Sequence, residues 1–318
     1  MSTSSQTVST IHNKKPRLKD TWKNLKKSRQ LLVIFLPCAA FYLLFRYGPM
    51  FGLAMAFQDY GIYLGFMKSP WVGFKHFIKF FTSPDFLLLF KNTFLLGIYT
   101  LLWTFPFPII FAILLNEVKN TVFKKGIQTI SFLPSFLSIV IVSSMVIDFL
   151  SPNNGIINTL LNAIGMEKHY FMADPKWFRT IYIASEIWSN MGYGAIIYLA
   201  AIAGIDPSLY EAAKVDGCSR IRSIWYITLP SMLPTIATMF ILKSGNIFRI
   251  GYEKILLLYN PTTYKVADVF STYVYRKGLL ESNYSYAAAV GLFESVIALT
   301  LLLITNKVSR KLSEQSLW

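Results

Sequence analysis

Hydrophobic and polar positions alternate in long blocks rather than at the short periods of a soluble domain. Six apolar stretches stand out, at about Leu31 to Phe57, Phe86 to Asn116, Gly126 to Leu150, Phe178 to Ala203, Ser231 to Leu258 and Tyr284 to Ile304. Each reaches or exceeds the ~20 residues that an α-helix needs to cross a hydrocarbon core. Pro37, Gly48 and Pro49 predict a kink in the first, and the second runs on through Pro106 and Pro108. The predicted fold is an all-α, polytopic membrane protein of six spans.

One passage between apolar runs breaks the pattern. Asp206 to Pro230 is polar enough for water yet carries helix signals. Asp206 can cap a helix whose first turn tolerates Pro207, and Gly217 suits the left-handed turn that ends one. Ser219 to Tyr226 predicts a second short helix before Leu229 and Pro230. The product is a helix-turn-helix knob, spanning residues 205–230.

Composition strengthens the membrane reading. The chain has 318 residues, 54% hydrophobic and only 15% charged, too few charges to cover a soluble globule. The net charge of +15 comes from basic residues beside apolar runs, as in the tail of residues 1–30 and at Lys119, Lys124, Lys125, Lys307, Arg310 and Lys311. That placement follows the positive-inside rule, so nucleic acid is not the expected partner and the lipid bilayer is. It sets both termini and the knob on the cytoplasmic side, with a short cytoplasmic tail at residues 306–318 after a transmembrane domain at residues 31–305. Cys38 and Cys218 match neither a disulfide framework nor a metal site.

Polar groups inside the spans point to a route. Glu186, Asn190, Lys243, Asn246, Arg249 and Glu294 sit where a central charge costs ~3 kcal/mol even on a lenient insertion scale. Such residues face a bundle interior or a water-filled cavity. Trp188 and Tyr193 offer apolar aromatic faces along the same route. A structural reading stands beside this one, in which Glu186 or Glu294 pairs with Lys243 or Arg249 between helices. Lys243 and Arg249 favour an anionic cargo over a neutral one.

The knob carries a recognisable motif. Glu211-Ala212-Ala213, three residues, Gly217, nine residues, then Ile227-Thr228-Leu229-Pro230 resembles the EAA loop of ABC-importer permeases. The likeness implies a type I importer fold in which Glu211, Ala212, Ala213, Asp216, Gly217, Leu229 and Pro230 couple to an ATP-hydrolysing partner. Glu211 would be the polar anchor, the two alanines the surface of close approach, and Gly217 the turn. Tyr47-Gly48-Pro49-Met50-Phe51-Gly52, Val72-Gly73-Phe74, Asn92-Thr93, Leu258-Tyr259-Asn260-Pro261, Asp268 and Tyr273-Val274-Tyr275-Arg276 look like the polysaccharide and oligosaccharide branch of the maltose-type permeases. That branch implies a second related permease, two ATPase subunits and an extracellular solute-binding protein, in a bacterial cell membrane. Tyr259, Asn260 and Pro261, on an exterior connection, are candidates for contact with the binding protein.

No constellation suggests an enzyme. His12, His76 and His169 are the only histidines, and no Gly-rich loop ending in Lys-Ser/Thr is present to cradle phosphates. The chain therefore calls for no cofactor or metal of its own, with ATP and Mg expected on the partner ATPase. The function expected is translocation of a complex carbohydrate, oligo- or polysaccharide. A permease of the same architecture for a non-sugar solute and an ion-coupled carrier are the alternatives, and a carrier has no use for an EAA loop.

Overall fold

In a computed structural model of the chain, residues 29–245, 247–248 and 250–313 are described, and the backbone divides into two compact units at Leu53 and Ala54. The first unit contains α1, Arg29–Tyr42, with Pro37 inside it. A π-helical turn at Leu43–Tyr47 follows, and a tighter 3-10 stretch at Gly48–Phe57 carries on across the division. The expected kink at Gly48-Pro49 is thus a change of helix type. Val33, Ile34, Phe35 and Leu36 are all exposed, and four consecutive residues go round a helix, so this segment is apolar on every side, as a helix in lipid is.

The second unit is helical throughout, with one isolated antiparallel bridge, Gln58 to Trp71, among the described residues. Among its helices are α2 (Asp85–Thr104), α3 (Pro106–Glu117), α4 (Thr121–Phe132), α5 (Ile139–Phe149), α6 (Pro175–Ala203), α7 (Pro207–Val215), α8 (Leu229–Ser244), α9 (Tyr252–Leu258) and α10 (Tyr284–Ser313). Among the described residues, four helical stretches are long and apolar enough to cross a membrane, or up to six if each of two bent pairs is one span. Pro106 and Pro108 sit in the first turn of α3, where a proline costs no hydrogen bond, so Asp85–Glu117 remains one candidate span.

Four expectations about the helices need correction. The third apolar stretch is two helices bent by 105°, because Pro134 lies in a 3-10 turn and Ser138 caps a new start by accepting the Ile141 N–H. The fifth does not run to Leu258: α8 stops at Ser244, and an irregular break precedes α9. The helix expected to finish before Leu229-Pro230 instead continues, from Arg220 through a π-helical turn at Ile224–Thr228 into α8. Pro230 lies in the first turn of α8, just beyond that wider turn. At the other end, α10 extends to Ser313, into the segment expected as a tail.

The bundle is organised around α6, which packs against α2, α3, α4 and α8. Two cores flank it. Leu96, Phe178, Ile181, Ile255 and Val269 form one, and Ile109, Ala112, Ala195, Tyr198 and Met232 form the other. A third, aromatic cluster of Phe80, Phe248, Phe270, Tyr273 and Tyr286 joins α10 to the connection before it.

The branch motifs build that connection. Asn92 donates from Nδ2 to the Lys265 and Asp268 carbonyls, and Thr93 Oγ1 accepts the Phe270 N–H. Arg276 Nη2 meets Asp268 Oδ2 at 2.5 Å, and the Tyr273 hydroxyl donates to Asp85. Asp268 is buried, so its charge is tolerated because Arg276 and Thr272 satisfy it.

Candidate cavity and coupling loop

A cavity of about 450 Å³ opens between α2, α6, the end of α8 and the break that follows. Along α6 it is lined by Tyr182, Glu186, Asn190 and Tyr193, whose spacing of four, four and three residues puts all of them on one helix face. Lys243 from α8 joins them, with Gly97, Thr100, Leu101 and Thr104 of α2 opposite. Four of the eight path residues expected from sequence, Glu186, Asn190, Tyr193 and Lys243, therefore do meet.

Two of the other four are placed, and neither joins them. Trp188 is two residues from Glu186, more than half a turn away on a helix of 3.6 residues per turn. It lines a separate apolar cavity of about 510 Å³ with Val146, Phe149, Leu161 and Trp177. Glu294 lies half-buried on α10 and lines neither cavity. Asn246 and Arg249 fall outside the described residues.

The ion pair at the site involves a residue that sequence reasoning passed over. Lys254 Nζ donates to Glu186 Oε1 at 2.7 Å, with the lysine side chain 3% exposed. Asn190 Nδ2 holds the other carboxylate oxygen at 3.1 Å. Lys243 forms no ion pair with any described residue. The cost of a buried charge, which singled out Lys243, applies equally to Lys254 within Ile250 to Leu258. Arg179 was also missed. It lies three residues before Tyr182, so continuing the α6 stripe finds it, and its Nη2 donates to Asn92 Oδ1 at 3.0 Å.

Gly97 keeps the break close. A Cβ there would stand 2.1 Å from the Ile247 carbonyl oxygen, a backbone atom with no flexible end to move aside. Gly97→Val is expected to push that break away and destabilise the bundle by ~1–3 kcal/mol, as overpacking does. A lowered melting temperature of the purified protein checks this, and an unchanged one refutes the close approach.

The coupling loop has the predicted caps. Asp206 accepts the Ser208 N–H at 2.9 Å, which holds its carboxyl below the usual carboxylate range. At the other end Gly217 has φ +70°, with Cys218 N–H bonded to Ala213 O and Gly217 N–H to Lys214 O. Those two bonds form a Schellman motif, and they account for a glycine at this position. Tyr210 and Thr228 join through their hydroxyls at 2.9 Å, tying α7 to the start of the next helix. Glu211, Ala212, Asp216, Gly217 and Pro230 are exposed, Ala213 and Leu229 half-buried. Of the proposed exterior triplet, Pro261 is exposed, Tyr259 is half-buried against Tyr264, and Asn260 Nδ2 donates inward to the Met172 carbonyl.

The model of the family described as "Binding-protein-dependent transport system inner membrane component" matches residues 95–314. The chain belongs to that permease family. It is a multi-pass inner-membrane subunit of an ABC transporter and is not itself the catalytic subunit. This permease is 43% identical, over 98% of its length and 97% of the relative's, to the polygalacturonan/rhamnogalacturonan transport system permease protein YteP of Bacillus subtilis (strain 168). Protein LplB of the same organism is 42% identical over 92% of each chain. Among solved structures, a chain of a bacterial ABC transporter involved in the import of the acidic polysaccharide alginate superposes with a TM-score of 0.86. It is 45% identical, covering 92% of this permease and 99% of that chain. A second structure holds the alginate transporter in complex with an alginate pentasaccharide-bound periplasmic protein, at 44% identity and the same TM-score.

Proposed function

We propose that this permease forms half of the pore of an importer for an acidic oligo- or polysaccharide, handed over by an extracellular binding protein. Its likeness along nearly the full chain to permeases of polygalacturonan and alginate systems carries the reading. The cavity agrees with it, since Lys243 and Lys254 outnumber Glu186 among the described residues that line it or adjoin it. Asn190 and Tyr193 supply the amide and the aromatic face that a sugar needs.

In this reading six spans cross the membrane, the third being the pair bent between Phe136 and Ile139 and the fourth α6 without α7, with both termini and the coupling loop in the cytoplasm. A second, related permease completes the pore. Two ATPase subunits, which bind ATP and Mg, receive α7 in a groove, with Glu211 as anchor and Ala212 and Ala213 as the contact face. Asp216 and Gly217 turn the chain back, and Leu229 and Pro230 pass the motion into α8. Pro261, beside Tyr259 and Asn260, is offered to the binding protein.

The test is ATPase activity of the reconstituted complex with its binding protein and either an oligogalacturonate or the same oligomer with its carboxyls reduced. Stimulation by the acidic oligomer at least several-fold above the neutral one is expected. Equal stimulation removes the acidic cargo from the proposal.

A further inference from the structure

We propose that Lys254 is a specificity-determining cation for the cargo's carboxylate, and that Glu186 is a resident counter-ion which that carboxylate displaces. This rests on the acidic-cargo reading and adds to it how the charge is recognised.

The first support is a buried ammonium with a single hydrogen-bond partner among the described residues. Lys254 is 2% exposed, yet of its three N–H donors only one meets a described residue, Glu186 Oε1. A buried ammonium held by a single bond lacks the further hydrogen bonds that make such burial tolerable. Its Nζ also lies 5.6 Å from the centre of the Tyr182 ring, which offers a second resting place for the charge.

The second support is position. Lys254 lines a smaller cavity of about 240 Å³ with Ser135 and Ser189, and Glu186 and Asn190 line both this cavity and the larger one. The carboxylate of Glu186 therefore stands at the partition. A cargo carboxylate in the larger cavity shares it with Lys243 and Glu186, and Lys254 lies in the smaller cavity that Glu186 also lines.

The alternative, that the pair only braces α9 against α6, is weak as a source of stability, because removing two charges from water cancels most of their attraction.

The experiment uses the full complex with its binding protein in proteoliposomes, and reads the ratio of uptake of an acidic oligomer to its carboxyl-reduced counterpart. Two double variants are compared with the wild type: Glu186→Gln with Lys254→Met, and the exchange Glu186→Lys with Lys254→Glu. Each is expected to assemble with its partners and to lower the ratio about tenfold or more, the scale of a close charge pair. A brace would be restored by the exchange and replaced by the neutral pair, so an unchanged ratio in either assembled variant overturns the inference. Failure of both variants to assemble also overturns it, since the pair would then be structural. A wild-type ratio near one instead refutes the acidic-cargo reading, a separate outcome.

Discussion

Glu211→Lys is expected to weaken capture of the ATPase subunits by ~30-fold or more, the equivalent of ~2 kcal/mol for a charge placed wrongly in an interface. The carboxylate stands in the middle of α7, exposed, with no ion pair to any described residue. Its replacement therefore leaves the fold intact, as exposed helical substitutions generally do within ~0.5 kcal/mol. The helix itself is held elsewhere, by the Asp206 cap, the Schellman bonds at Gly217 and the Tyr210–Thr228 contact. Pull-down or surface-binding measurements with the purified ATPase check the loss, alongside a melting curve that stays unchanged. Undiminished binding would mean that Glu211 is not the anchor.

Arg276→Leu should carry the largest stability cost, ~3–5 kcal/mol, because it strands a buried carboxylate. Asp268 is 7% exposed at its side chain, and Arg276 supplies two of the hydrogen bonds that compensate its charge. The Arg276 guanidinium also lies about 5.5 Å from the Tyr264 and Tyr273 rings, so its loss loosens packing as well as charge. Adding Asp268→Asn to Arg276→Leu is expected to recover a substantial part, since the amide needs no counter-ion and keeps a Thr272 partner. Thermal denaturation of the detergent-solubilised complex measures both. A single variant that melts with the wild type would show that the pair bears no weight.

The motif residues divide between two roles, a division their sequence did not announce. Asn92, Thr93, Asp268, Tyr273 and Arg276 all take part in a hydrogen-bonded buttress rather than lining the cavity. Asn260, expected to face the binding protein, spends its amide on Met172. In contrast, Lys254 belongs to no motif and yet contacts Glu186 directly. Residue type and exposure rules find buried charges, but they do not say which buried charge meets which.

Local chemistry was enough to read an all-helical chain of long apolar stretches, the cap at Asp206 and the glycine turn at Gly217, because capping, left-handed turns and hydrocarbon thickness act within a few residues of the chain. Packing between distant segments settled the rest: the 105° bend, the stop at Ser244, the pairing of Glu186 with Lys254 across sixty-eight positions, and the exile of Trp188 to another cavity. Those outcomes depend on how α6 is turned against its neighbours. A helix shows its stripe in the sequence, whereas the partner of that stripe exists only after the bundle closes.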